Sequence, residues 1–289
     1  MAESEGLSNL IAVCQLACRS DKDKNREDCK QLVTKAAKSG AKMVFLPEGT
    51  DYLADTIEES MKLVEPMDGP TVKYYQELAS SLGVWLSIGI HSKSEDPSEN
   101  HRLYNRHVII DSSGKVVEFY DKLHLYDMAV EGMAPIKESS WTIPGEKIVP
   151  PVTSPVGNIG LAICYDLRFP ELSLSLAKQG ADILTYPSAF LQTTGLAHWE
   201  ALLRARAIEN QCYVVAAAQT GQLSSGRVMY GHSMVVDPWG QIIASCHEGQ
   251  DVCLANIDLD YLKSVRKQMP VWSHRRTDVY KLSVDTKDS

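Results

Sequence analysis

The chain has 289 residues, 44% apolar and 23% charged, an ordinary globular balance with enough apolar material for a large core. Its formal net charge of −8 argues against broad contact with nucleic acid or an anionic membrane surface, both of which need basic patches. No apolar run approaches the ~18 residues of a spanning helix, and the acidic start Met1-Ala-Glu-Ser-Glu5 lacks a signal pattern, so a soluble, cytoplasmic protein is expected, with a mitochondrial isoform left open.

In chain order, residues 1–8 read as a flexible N-terminus and residues 9–281 as one domain, since no linker or low-complexity segment divides them. Leu10 to Gln15 reads as a buried strand. Lys24 to Ser39 follows as an amphipathic helix, with Cys29, Leu32, Val33, Ala36 and Ala37 at helical spacing and Gly40 at its end. Met43 to Leu46 is a second strand, stopped by Pro47 and followed at once by Glu48. Pro70 to Leu82 is a helix closed by Gly83, and Val84 to Ile90 a third strand. Ser92 to Arg102 reads as a surface loop. Val108 to Ile110 and Val116 to Tyr120 flank a turn and deliver Lys122 at the hairpin end. Asp127 to Pro151 shows little periodicity, and a loop that long is usually functional or mobile.

Ile159 to Cys164 is an apolar strand ending in a cysteine, and Pro170 starts the helix that follows. Ile183 to Tyr186 is a strand, Ala197 to Asn210 a helix, and Tyr213 to Ala218 a buried strand. Ser233 to Val236 and Ile242 to Ser245 flank Asp237-Pro-Trp-Gly240 as a hairpin. Val252 to Ile257 is the last strand, Leu259 to Gln268 the last helix, and 282–289 a polar tail. Helices and strands alternate with hairpins mixed in, which gives the α/β class with a partly antiparallel sheet but not its topology.

Seven scattered cysteines (Cys14, Cys18, Cys29, Cys164, Cys212, Cys246 and Cys253) do not form a disulfide framework, and no CxxC pair suggests zinc. No phosphate-binding or metal-binding motif occurs either, so no cofactor and no metal is expected. Three polar residues instead share one local grammar: Glu48, Lys122 and Cys164 each follow an apolar strand. If those strands are neighbours, the chemistry coheres. A thiolate attacks, a carboxylate takes the thiol proton if burial raises its pKa (a rise the neighbouring ammonium opposes), and that ammonium, with the backbone N–H of Tyr165, holds the oxyanion of an attacked carbonyl. Taken singly, each has a bland reading: a buried free cysteine, a loop glutamate and an exposed lysine. His124, His198 and His232 also end apolar segments and leave a Cys-His arrangement open. Arg168 either forks onto a substrate carboxylate or pairs with Asp166 or Glu171.

With these residues in hand, the chain resembles the nitrilase, or carbon–nitrogen hydrolase, superfamily over nearly its whole length. The resemblance is carried by Phe45-Leu-Pro-Glu48, Tyr120-Asp-Lys-Leu-His124 and Gly160-Leu-Ala-Ile-Cys-Tyr-Asp-Leu-Arg-Phe-Pro-Glu171, in that order. It implies a four-layer αββα sandwich that pairs into homodimers or larger homo-oligomers. It also implies Glu48 as general base, Lys122 as oxyanion stabiliser, Cys164 as nucleophile and Glu138 as a supporting glutamate. Within the superfamily, Leu184-Thr-Tyr-Pro-Ser-Ala-Phe190, Ala197-His-Trp-Glu200 and Tyr230-Gly-His-Ser-Met-Val-Val-Asp-Pro-Trp-Gly240 are similar to the branch that acts on deaminated glutathione and is also found fused to a histidine-triad domain. That branch implies a small amide substrate bearing a carboxylate, bound by Arg168 with Phe190 and Thr194, and cleaved to 2-oxoglutarate and cysteinylglycine. A broader ω-amidase on short amides such as 2-oxoglutaramate, or a weakly active binding protein, stand as alternatives. The stretches Gly49-Thr-Asp-Tyr52 and Ala129-Val-Glu-Gly132 depart from the family pattern beside the expected pocket.

Overall fold

Strands buried on both faces read as unbroken apolar runs, and Leu10–Gln15 and Met43–Phe45 are of this kind. Successive side chains point to opposite faces. Ile11, Val13, Met43 and Phe45 therefore pack into one core with Ile159, Leu161, Ile183 and Val214, while Ala12, Cys14 and Val44 pack into a second with Val33, Ala36, Val72 and Leu78. The first core lies between two sheets and the second lies under helices. In this computed structural model residues 9–129, 135–281 and 283 are described. The N-terminal segment 1–8, residues 130–132 of the Ala129–Gly132 stretch, and the 282–289 tail except residue 283 lie outside the described residues.

One six-stranded sheet runs Asp251–Asn256, Leu10–Gln15, Met43–Phe45, Trp85–Lys93, Leu103–Ile110, Val116–Asp121. The other runs Val152–Ser154, Gly157–Leu161, Ile183–Thr185, Tyr213–Ala216, Met234–Val236, Ile242–Ser245. In that order both sheets pair antiparallel, parallel, parallel, antiparallel, antiparallel, so the two halves share one strand plan. Helices Lys22–Lys38 and Pro70–Leu82 cover the first sheet, and Pro170–Lys178 and Gln192–Asn210 the second. Helix, sheet, sheet and helix make the four-layer αββα sandwich that the family resemblance implies. Each sheet has a central parallel trio, and in parallel α/β sheets the loops beyond the carboxyl ends of the strands are where ligands gather. Glu48 follows the central strand of one trio and Ala189 that of the other.

Several boundaries differ from the sequence reading for identifiable reasons. The first helix starts at Lys22 because the Asp21 side chain caps it, accepting from the Lys24 N–H at 3.0 Å. The helix Gln192–Asn210 begins five residues before the predicted Ala197, its polar and small first turn giving no apolar periodicity. Gly195 within it lies so near Tyr230 that an added Cβ would stand 2.3 Å from the ring. The helix Ile57–Leu63 and the hairpin Thr220–Gln222 with Val228–Tyr230 are too short for a pattern. The long stretch after Asp127 holds a two-residue ladder, Asp127–Met128 against Ile136–Lys137, and a 3₁₀ turn at Glu138–Ser140. All seven cysteines are free, and only Cys253 is partly exposed. Among the described residues no helix is long and apolar enough to cross a membrane.

Close approach of the third strand to the turn after Phe45 depends on Gly89. A Cβ there would stand 2.5 Å from the Glu48 Cα and 2.7 Å from the Pro47 oxygen, backbone atoms with nowhere to go. Gly89→Ala is therefore expected to lower stability by about 1–3 kcal/mol, measured as a drop in Tm against wild type. An unchanged Tm would refute the close approach.

Candidate active site

The turn after Met43–Phe45 carries Glu48 into the space between the sheets, where it is 5% exposed. The strand Val116–Asp121 ends one residue before Lys122, which is 2% exposed. Lys122 Nζ donates to Glu48 Oε1 at 2.9 Å and to Glu138 Oε1 and Oε2 at 3.1 and 3.0 Å. Asn105 Nδ2 donates to both glutamates, at 2.7 Å to Glu48 Oε1 and 3.2 Å to Glu138 Oε1. The other Glu48 oxygen accepts the Ala189 N–H at 2.8 Å, a donor from the second sheet. Glu138 Oε2 also accepts the Tyr126 N–H at 2.6 Å. One cation thus sits between two carboxylates whose remaining lone pairs are satisfied, the condition for keeping charges out of water.

Cys164 reaches this cluster from the second sheet. The strand Gly157–Leu161 stops two residues short of it, and Cys164 opens a 3₁₀ turn, Cys164–Arg168, with a φ of 44°. A non-glycine residue in that region costs of order 1–3 kcal/mol and is held only by surrounding structure. The holding bonds are present: the Cys164 N–H donates to the Pro187 oxygen at 3.0 Å, and buried Asp166 accepts from the Ile163 N–H at 2.9 Å. Tyr165 follows in the first turn, where backbone N–H groups have no partner inside the helix.

The charges divide clearly. Burial alone would raise the Glu48 pKa, but the Lys122 charge and hydrogen bonds from Lys122, Asn105 and Cys164 outweigh it and hold the carboxyl below its usual value. Burial and then the Glu48 charge push the Cys164 thiol well above its usual value, against the pull of Lys122. Burial opposes the Lys122 charge, yet Glu138 and Glu48 raise its pKa well above normal. Of the two opposed effects that the sequence reading named at Glu48, burial and the lysine charge, the lysine side wins. The site holds a carboxylate with a lowered pKa and a thiol with a raised one, beside an ammonium.

The histidine alternative falls. His124 Nδ1 is held by Asp166 at 2.7 Å with its ring stacked on Phe169, His232 stacks on Tyr230, and His198 meets Arg168 at 3.2 Å. None of the three lines the cavity at Cys164. The alternative in which Arg168 pairs with Asp166 or Glu171 is not what forms, and Asp166 is instead occupied by His124, Tyr120 and the Ile163 N–H. Arg168 lies over Phe190, 5.2 Å from the ring centroid, and its buried Nε donates to no described residue. Arg168, Phe190 and Thr194 all line a cavity of about 210 Å³ together with Glu48, Lys122, Glu138 and Cys164.

Sequence reasoning missed Asn105, the Ala189 N–H and His91. Asn105 sits where a surface loop was expected to give way to a strand, and no spacing marks it. The departure Gly49–Tyr52 acquires a role: Asp51 accepts from the His91 N–H at 2.9 Å and from its Nδ1 at 3.1 Å, while buried Tyr52 stacks on His91 at 4.6 Å. Burial opposes protonation of His91, but Asp51 outweighs it and raises the pKa.

The carbon–nitrogen hydrolase family model matches residues 10–267. The chain is 52% identical over 283 residues to the deaminated glutathione amidase of Bos taurus, covering 97% of this chain and 86% of that one. It is 49% identical over 282 residues to the nitrilase and fragile histidine triad fusion protein NitFhit of Caenorhabditis elegans, whose length it spans to 64%. The crystal structure of that fusion protein superposes with a TM-score of 0.91 at 48% identity, covering 98% of this chain and 68% of the other. A matching fold, the three sequence signatures and a family model spanning nearly the whole chain lead to one conclusion: the protein belongs to the carbon–nitrogen hydrolase, or nitrilase, superfamily.

Proposed function

We propose that this hydrolase of carbon–nitrogen bonds is an amidase that cleaves deaminated glutathione to 2-oxoglutarate and cysteinylglycine through a thioester on Cys164. The observation that carries the reading is the buried Glu48–Lys122–Glu138 cluster, hydrogen-bonded at 2.9–3.1 Å through Lys122 and lining one cavity with Cys164. Glu48 takes the thiol proton as sulfur bonds to the amide carbon. The oxyanion forms between Lys122 Nζ and the Tyr165 N–H, each donor of this kind being worth ~2.7–4 kcal/mol of barrier. As negative charge grows on that oxygen it draws on Lys122, loosens the hold on Glu48 and makes the carboxylate a better base at the moment it is needed. Glu48 then protonates the departing amine. A water enters, Glu48 removes its proton, hydroxide adds to the thioester, and the carboxylate product leaves as the thiol regains its proton. Glu138 and Asn105 are positioning residues, because they hold Lys122 and Glu48 rather than the reacting atoms.

The substrate is supported by two things: the activity named for a 52% identical relative, and Arg168, a guanidinium that lines the cavity one turn from the nucleophile with no carboxylate partner among the described residues. An α-keto carboxylate is a ligand of the right charge and planar geometry for it. The Arg168 guanidinium lies over the Phe190 ring, and Thr194, on the first turn of its helix, lines the same cavity.

Steady-state hydrolysis of deaminated glutathione is expected for the wild type and lost in Cys164→Ala, and acid quenching of wild type is expected to trap an acyl adduct on the Cys164 peptide. A wild-type rate in Cys164→Ala would sink the reading. Since Glu48 must be ionised and its carboxyl is held down, the acid limb of kcat/KM should lie below the 4.5 of an ordinary glutamate. Asn105→Leu removes a hydrogen bond that favours the charged form. It is expected to move that limb upward and to lower kcat/KM about tenfold; a limb that stays put or moves down would exclude this role for Asn105.

A further inference from the structure

Arg227 lies on the cavity wall, on the hairpin Thr220–Gln222 with Val228–Tyr230 rather than on any element that carries the Glu48, Lys122 and Cys164 cluster. The hairpin is locked in place: Met229 bridges Leu191, the Tyr230 N–H donates to the Phe190 oxygen at 2.8 Å, and Tyr230 rests on Gly195. Within it the half-buried Arg227 is itself held. Its Nη2 donates to the Ala54 oxygen at 2.9 Å and its Nε to Ser225 Oγ at 3.1 Å, while Nη1 makes no hydrogen bond among the described residues. Asp55 feels its charge, but the Asp55 carboxylate is taken by the Ser225 N–H at 2.8 Å and forms no ion pair with the guanidinium. The wall beside it is apolar, built from Leu53, Leu191, Leu223 and Met229. The cavity therefore presents two guanidinium groups from separate elements, each held by neutral partners and without an ion pair among the described residues, Arg168 on the turn of the nucleophile and Arg227 on the hairpin, with apolar surface lining the space they share.

We propose that Arg227 is a specificity-determining residue that binds the carboxylate of the leaving group, while Arg168 binds the carboxylate of the acyl group. The assignment rests on the reading of deaminated glutathione as substrate. That molecule is a dianion with a carboxylate at each end, one α-keto acid on the acyl side and one C-terminal glycine on the amine side. Arg168 shares the 3₁₀ turn of Cys164, so it takes the end that stays on the enzyme as the thioester. Arg227 takes the end that departs. A short amide whose leaving group is ammonia has nothing to offer the second site, so Arg227 separates a dipeptide-releasing amidase from a general ω-amidase. The competing view is that Arg227 only braces its hairpin through Ala54 and Ser225.

The test compares kcat/KM for deaminated glutathione and for the same compound with its glycine carboxylate converted to the primary amide. Wild type should prefer the free carboxylate about tenfold or more, a charge-assisted hydrogen bond being worth at least that. Arg227→Gln should bring the ratio close to one, chiefly through KM. Arg168→Gln should slow both compounds and keep the wild-type ratio. Arg227→Lys, which retains the charge and loses the fork, should keep a preference severalfold weaker than wild type and serves if Arg227→Gln does not fold. A wild-type ratio retained in the Arg227 variants, or a wild type indifferent to the carboxylate, overturns the assignment and leaves the reaction untouched. Absence of wild-type turnover on both compounds instead overturns the substrate reading, and the assignment with it.

Discussion

A lysine ammonium almost without access to water is stable only where its charge is matched, and Lys122 is matched by Glu48 on one side and Glu138 on the other. This contact orders everything around it. Removing the cation would leave two carboxylates facing each other in a dry space. Removing Glu138 would leave Glu48 as the sole counter-charge and free Lys122 to turn. Asn105 ties the two carboxylates together from a single amide, so three charged side chains behave as one unit. The same contact sets the protonation states that the proposed chemistry uses, since Lys122 keeps Glu48 ionised while burial keeps Cys164 a thiol.

The unit is completed across the gap between the sheets. Glu48 and Lys122 belong to the first sheet, whereas Cys164 and the Ala189 N–H belong to the second. Gln219, beyond the second sheet, donates to the backbone oxygens of Glu48 and Gly49 at 3.0 and 3.3 Å. His107 on the first sheet meets the Ala162 oxygen at 3.1 Å, two residues before the nucleophile, and burial lowers its pKa to about 4, so it stays neutral there. The sandwich is thus more than a scaffold: the relative position of its sheets is what brings carboxylate, ammonium and thiol to one cavity. The positive φ of Cys164 is sustained by the same surroundings.

Around this rigid centre the pocket wall is drawn from loops and short elements. Asp51, Tyr52 and His91 form one side, Arg168 and Phe190 another, and the hairpin bearing Arg227 a third. Division of labour follows. In the proposed reaction the dry charged cluster serves bond cleavage, and the half-exposed guanidinium groups serve recognition, where Arg is suited to carboxylates by its planar fork.

Apolar runs ended by proline or glycine made most strands and helices legible, and Leu259–Gln268 emerges with the boundaries its periodicity predicts. The same runs exposed Glu48, Lys122 and Cys164 as polar residues at strand ends, and the signatures around them carried the family and the four-layer fold. Asn105, the Ala189 N–H, His91 and Arg227 were not legible. A backbone donor has no sequence signature, an asparagine inside a strand looks like any other, and a hairpin of three-residue strands has no period. The sign of the Glu48 shift was equally out of reach, because it is a contest between burial and Lys122 that only a distance decides. Local pattern was thus enough for most of the elements, for the family and for Glu48, Lys122 and Cys164 as candidates. The direction of the Glu48 shift, the contacts of Arg168 with His198 and Phe190, and the second guanidinium in the pocket came only from the folded chain, for these depend on which side chains of distant segments meet.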